Sequence, residues 1–240
     1  MSALEVLFAD NHLLVVAKPA GVPTVPDDSR DESLLDQAKA WVKVEYQKPG
    51  AVFLGVVQRL DRPVSGVLVF ARTSKAAARL TTAFGKRTAH KTYHALGVPG
   101  AGGGRMPAPG SAGELVQWLA KDREKNRVHT FGSEDAAPEG AKRAVTRWRC
   151  VGSAEWEGTP LARLELEPVT GRSHQLRLAA RALGLPLLGD VKYGRGLAPL
   201  PDRSIGLHAR ALGVTHPTTR VEHTFTAAHP ERAWWRVWSA

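Results

Sequence analysis

The apolar residues of this chain come in short runs. Stretches such as 13–17 and 67–71 are about five residues long and rich in Val and Leu, far short of the roughly 20 residues a membrane-spanning helix needs. Runs of this length suit buried strands, so sheet rather than long helices is expected to carry the core. With 240 residues, 43% of them apolar, the chain can bury a substantial core. The N-terminus lacks a basic start followed by an apolar stretch, so no secretory signal is expected. Cys150 is the one cysteine, which rules out an internal disulfide. Together these features point to the cytoplasm.

Charge narrows the class of partner. The chain carries 33 Lys and Arg against 23 Asp and Glu, a formal charge of +10, and the excess is not spread evenly. Residues 1–58 hold five bases and eight acids, whereas 59–91 hold eight bases and one acid, Asp61. A second basic region, 142–181, has eight bases against four acids, and 92–141 is near neutral with five against six. Basic residues gathered in this way neutralise phosphates and release their counterions, although a basic face can also serve solubility alone. The expected partner is a polyanion.

The organisation reads as one domain over residues 1–240. The only low-complexity stretch, PGAGGGRMPAPGSAG at 99–113, is too rich in Gly and Pro for regular structure and is expected as a loop within that domain. Ser33 is a plausible cap for a helix with Leu34, Leu35, Ala38, Trp41 and Val42 on one face, ended before Pro49-Gly50. Residues 66–71 read as a buried strand, followed by a helix over 75–84 capped by Ser74 and stopped by Gly85. Further strands are expected at 93–98, 144–151, 161–166 and 207–214, with a helix over 173–183 stopped by Gly184. The sum is an α+β fold with few helices.

Three constellations carry chemistry. In QRLDRPVSG (58–66) one carboxylate stands between two guanidinium groups just before the buried strand. Nearby positive charge favours an ionised carboxylate, suited to a nucleophile or charge stabiliser, although an aspartate before Arg-Pro also serves simply to form a turn. In TGRSHQLR (170–177) a Gly-containing turn opens a helix, where backbone N–H groups favour an anion. Arg172 and Arg177 lie about a turn and a half apart, so one suits a phosphate and the other a carboxylate at the helix edge. In KTYHA (91–95) Tyr93 can stack on a base or fill the core. The spacing of His208 and His216 matches no zinc pattern, Asp190 in GDVKYG reads as a turn former, and no phosphate-binding glycine motif supports a nucleotide cofactor.

QRLDRPVSGVLVFART, KTYHAL, TGRSHQLRLAARALGLPLLGDVKYG and LHARALGVTHP occur in the order and approximate spacing of the RluA-type pseudouridine synthases, and LLVVAKPAG (13–21) resembles that family's first strand and turn. The likeness covers residues 8 to about 228. With no module preceding it, the chain resembles a catalytic-domain-only form. It departs from the family at Gln58, where His is usual, and at Val64, where Thr is usual.

The resemblance implies an α+β fold with a central, mostly antiparallel sheet flanked by helices and loops. It implies an isomerase that frees uracil N1 from ribose C1′, rotates the base and rejoins it through C5. Asp61 would be the catalytic aspartate, by attack on C1′ or by removing a ribose proton to give a glycal. Arg177 would be its basic partner, and Tyr93 would stack on the flipped uracil and assist removal of the C5 proton. Arg59 would fill the place of the departed nucleotide, Leu207 would wall the pocket, and Arg62, Arg172 and His174 would contact RNA. The partner would be structured ribosomal or transfer RNA, with no cofactor or metal, and a monomer is the simplest state. A glycoside hydrolase would also cleave at C1′ but needs a second carboxylate that the Asp61 motif lacks. The contrasting reading is a noncatalytic RNA-binding or RNA-chaperone protein on the same scaffold, motivated by Gln58 and Val64.

Overall fold

A computed structural model describes residues 4–101, 103–122, 124–194 and 196–238. The chain divides into two compact units whose segments alternate along the sequence. Unit 1 comprises Met1–Lys91, Asp202–Ser204 and His208–Pro230, and unit 2 comprises Thr92–Pro201, Ile205–Leu207 and Glu231–Ala240.

Unit 1 is built on strands β1 (Glu5–Ala9) and β2 (Leu13–Lys18), helix α1 (Leu34–Glu45), strands β3 (Gly55–Val56) and β4 (Ser65–Ala71), and helix α2 (Ser74–Gly85). β2 pairs antiparallel with both β1 and β4, and β3 also pairs antiparallel with β4. All seven residues of β4 are buried, as expected of a β-branched run flanked on both sides. Ser33 caps α1 as expected, in a capping box completed by Asp36. The cap of α2 is Thr73, whose Oγ1 accepts from Ala76 N at 3.1 Å, and not Ser74. Thr73 has the extended backbone a cap requires, while Ser74 already lies in the helix. The left-handed residue after α2 is Arg87 rather than Gly85.

Unit 2 carries most of β5 (His90–Gly97), then β6 (Ala112–Asp122), β7 (Arg127–Phe131), β8 (Lys142–Trp156), β9 (Thr159–Pro168) and helix α3 (Gln175–Ala182). Its sheet is antiparallel in the order β5-β9-β8-β6-β7. β8 and β9 extend beyond the apolar residues that announce them, because ladder pairing continues through the charged turn between them. The Gly/Pro-rich segment ends at 111, since Ala112 and Gly113 already pair with Arg149 and Trp148 in β8. β1, β3, β6, β7 and β11 have no counterpart among the expected strands. Gly184 stops α3 with positive φ, as the sequence predicts.

The chain returns to unit 1 with β10 (Leu207–Thr215) and β11 (Glu222–Thr226). From His208 onward β10 runs parallel to β4, and β11 pairs antiparallel with β10. A 3-10 helix, Ala233–Trp238, then closes unit 2. Its Trp234 and Trp235 pack with Leu96, Val98, Leu161, Leu188 and Leu200 in one cluster. Among the described residues, three α-helices stand beside mostly antiparallel strands, with β4 and β10 parallel, which gives the α+β class predicted from the sequence.

Candidate active site

In unit 1 the segment carrying Asp61 is fastened from several sides before it enters β4. Lys18, the last residue of β2, is buried, and its Nζ donates to Pro19 O at 2.9 Å, Val22 O at 2.7 Å and Arg62 O at 3.2 Å. Three acceptors match the three N–H groups of an ammonium. Burial pushes the Lys18 amine down to about 7, the charge of Asp61 pulls it up, and that of Arg62 opposes this. Thr24 adds a reciprocal clasp: its Oγ1 donates to Leu60 O at 2.8 Å and accepts from Leu60 N at 3.2 Å. Gly21 N also bonds Arg62 O, and Val64 N bonds Asp61 O to close a turn. Leu60 and Val64 are buried on either side of this turn, and Asp61 is half-buried.

The two arginines of the motif differ. Arg59 is exposed. Arg62 donates through Nε to Gly21 O at 2.9 Å and pairs with Asp27 and Asp31, so it knits the loop at 21–31 to the Asp61 turn. Beyond Asp61, Ser65 Oγ lies 2.9 Å from His208 Nδ1, and His208 Nε2 lies 3.2 Å from Ala227 O. A carbonyl only accepts, so Nε2 carries the hydrogen and Nδ1 accepts from the serine hydroxyl. Burial pushes His208 down to about 4, with the bond to Ala227 opposing and His229 and Arg210 adding to the fall.

In unit 2 the TGRSHQLR segment is organised around Gln175. Its Oε1 accepts from Thr170 Oγ1 at 2.7 Å and Arg172 N at 3.0 Å, while Nε2 donates to Val145 O at 2.8 Å and Thr146 Oγ1 at 3.0 Å. Both ends of this buried amide are saturated, which pins α3 to β8. Arg172 Nε donates to Arg143 O at 3.2 Å. His174 adopts a left-handed backbone, φ 56° and ψ 13°, without a side-chain capping bond. Its Nδ1 lies 2.5 Å from Tyr193 Oη, which accepts from Val128 N at 3.1 Å.

Arg177, buried on α3, makes a two-pronged pair with buried Asp190. Nε donates to Oδ2 at 2.8 Å and Nη2 to Oδ1 at 2.7 Å, and the guanidinium carbon lies 4.9 Å from the centre of the Tyr193 ring. Asp190 is thus one carboxylate that Arg177 meets. Tyr93 lies on β5 opposite Leu166 of β9 and is half-buried. Leu207 is buried, with its N–H bonded to Ile205 O.

Asp61, Arg59 and Arg62 therefore belong to unit 1, and Tyr93, Arg172, His174, Arg177 and Leu207 to unit 2. His174 and Arg177 meet around Tyr193. Lys18, Gln175, Asp190 and Tyr193 escaped the sequence reading as working parts of these segments. The signal was present for Lys18, a lone cation ending an apolar strand directly before Pro-Ala-Gly. Among the described residues, no group of three or more His, Cys, Asp or Glu side chains is placed to hold a metal ion.

A half-buried carboxylate on a braced turn, basic surroundings and an α+β frame define a protein that handles a polyanion and does chemistry on it. Residues 12–182 match the RNA pseudouridylate synthase family, and the chain belongs to it. It is 34% identical over 226 residues to the dual-specificity RNA pseudouridine synthase RluA of Haemophilus influenzae, covering 93% of this chain and 92% of that protein. The Escherichia coli K12 protein of the same name is 33% identical with the same coverage. An uncharacterized RNA pseudouridine synthase of Bacillus subtilis, YhcT, is 33% identical over 90% of this chain and 65% of its own. Among solved structures, human RNA pseudouridylate synthase domain containing 4 superposes with a TM-score of 0.72 at 25% identity, covering 95% of this chain and 89% of that one. Human RNA pseudouridylate synthase domain containing 1 gives 0.70 at 26%, covering 95% and 84%. The chain is an RNA pseudouridine synthase, an isomerase of uridine in RNA.

Proposed function

We propose that the chain isomerises specific uridines of structured ribosomal or transfer RNA in the cytoplasm, as a monomer and as one catalytic domain. The extent of the domain follows the likeness to both human domains, which spans 95% of the chain. Asp61 is the group that acts at the sugar, either attacking C1′ or removing a ribose proton. The observation that carries this reading is the bracing of its turn by Lys18, Thr24 and Gly21. A reacting carboxylate gains from being held in one geometry, because orientation is set before the substrate arrives.

Arg177 is the basic partner in the reaction. Tyr93 stacks on the flipped uracil and assists loss of the C5 proton, and Arg59 takes the place of the extruded nucleotide. Arg62, Arg172 and His174 contact RNA, and Leu207 forms an apolar wall. Excluding water keeps the detached base from being lost, which suits an isomerase rather than a hydrolase.

The test is nucleoside-resolved mapping of pseudouridine in total RNA from cells lacking the chain, restored with it, or restored with Asp61→Asn. A site that disappears on deletion is expected to return only with the unsubstituted chain, while purified Asp61→Asn still binds RNA. Return of the site with Asp61→Asn would overturn the assignment of the aspartate. No change at any site, together with no product from purified chain on candidate RNAs, would leave the noncatalytic RNA-binding reading.

A further inference from the structure

Helix α2 of unit 1 is charged against its own stability. Lys75 lies in the first turn, where the positive end of the helix dipole disfavours a cation, and no acid stands in that turn. Lys75 and Arg79 are like charges four residues apart, a spacing that also destabilises a helix. Helix α1 is arranged the opposite way, with Asp36 in its first turn and Lys43 in its last. No Asp or Glu occurs between Asp61 and Glu114, so the sequence around α2 supplies no counter-charge. Among the described residues neither Lys75 nor Lys86 makes an ion pair. A face kept only for solubility gains from charges of both signs, whereas this one carries a single sign.

The cations are also aligned. Lys75, Arg79, Thr82 and Lys86 are spaced by four, three and four residues, which places them in one stripe along the helix. Lys86, the residue after the last turn, keeps a helical backbone, φ −79° and ψ −3°, so Lys75 and Lys86 stand about 17 Å apart along the axis. Lys75, Thr82 and Lys86 are exposed, while Ala76 and Leu80 on the opposite side are buried. Arg79 is half-buried, and its Nη1 donates to Pro217 O at 2.6 Å, which fixes its guanidinium beside the stripe.

We propose that this stripe is a docking ridge for the phosphate backbone of duplex RNA, made from residues outside the QRLDRPVSG and TGRSHQLR segments. This rests on the reading of structured RNA as the substrate. The chemistry favours a duplex over a single strand. Single strands stack their bases on exposed aromatic rings, and Phe84, the only aromatic residue of α2, is half-buried. A-form RNA is met through phosphates and 2′-hydroxyls, by shape rather than sequence, and point-like ammonium groups on a straight ridge suit such contacts.

The experiment compares the unsubstituted chain with Lys75→Gln/Lys86→Gln and with Lys43→Gln/Lys48→Gln, which removes the same charge from exposed positions off the ridge. Binding of a fluorescein-labelled RNA duplex of about 20 base pairs and arbitrary sequence is read by fluorescence anisotropy between roughly 50 and 200 mM salt. Turnover is read in parallel as tritium released from total RNA labelled at uridine C5 in cells that lack the chain.

Lys75→Gln/Lys86→Gln is expected to weaken duplex binding by about tenfold and to reduce the log–log salt slope by about two. Its KM for RNA is expected to rise while kcat is kept. Lys43→Gln/Lys48→Gln is expected to change the slope much less. Equal losses in the two variants would overturn the ridge, because net charge alone would then explain the effect. Unchanged duplex binding in Lys75→Gln/Lys86→Gln would overturn it too, and loss of binding to phosphatidylglycerol vesicles in that same variant would point instead to an anionic membrane surface. Failure of the unsubstituted chain to bind the duplex would overturn the structured-RNA reading along with the ridge.

Discussion

Gly66 shows how tightly single positions are set. Its φ is +121°, and a Cβ there would lie 2.3 Å from Ala209 O, on the neighbouring strand to which β4 is paired in parallel. Neither backbone can retreat without breaking β4 from β10. Gly66→Ala is therefore expected to destabilise the fold by about 3 kcal/mol or more, from the clash together with the unfavourable φ, as a shift in the urea unfolding midpoint would show. Gly66 lies five residues from Asp61. Other decisive residues break the habits of their type. Lysine is rarely buried, so composition alone gave no reason to place Lys18 inside, and the carbonyls that hold it come from two separate turns. Asp190 was legible as a turn former from its Gly-Asp context, but its second oxygen binds a residue 13 positions away on α3, which no local pattern reveals.

At the scale of elements, apolar patterning served well where a strand is buried and poorly where it is not. β4 and the core of β9 announce themselves by their runs and alternation. β7 and β11, RVHTF and EHTFT, each have one buried residue among five and read as polar loop, while β6 starts inside a Gly-rich stretch and alternates only weakly. One junction of elements responds to acid. His208 joins β10 to Ser65 at the start of β4 and to Ala227 just beyond β11. Burial holds it at about 4 instead of 6.5, and His229 is lowered to about 4 by burial and by Arg210. A base whose folded pKa is depressed is neutral in the fold and takes up protons first in the unfolded chain. Stability is therefore whole above pH 6.5 and is lost as pH falls toward 4, by on the order of 3 kcal/mol for His208. Urea unfolding at pH 7.5, 5.5 and 4.5 is expected to show that loss and to show less of it in His208→Gln. An equal loss in both proteins would remove His208 as its cause.

For the whole molecule, the positive charge gathered at 59–91 and 142–181 predicts how RNA binding responds to salt. Affinity for RNA is expected to fall by about tenfold or more between roughly 50 and 200 mM salt, linearly in log–log form, measured by fluorescence anisotropy; a flat response would mean that phosphates contribute little. Charge and motif order made the family legible, because both survive in the linear sequence. The division into two units was not legible, because each unit is assembled from segments that the other interrupts. That interleaving bears on the order in which the protein is made. The strands of unit 1 span residues 5–71 but wait for β10 and β11, and the core around Leu96 and Leu161 waits for Trp234 and Trp235. Neither half can finish folding as it emerges during synthesis; early strands must remain incomplete, with apolar faces uncovered, until nearly the last described residues have been added. The seconds of translation are thus the time when this chain is most exposed to aggregation, and when a chaperone would matter most.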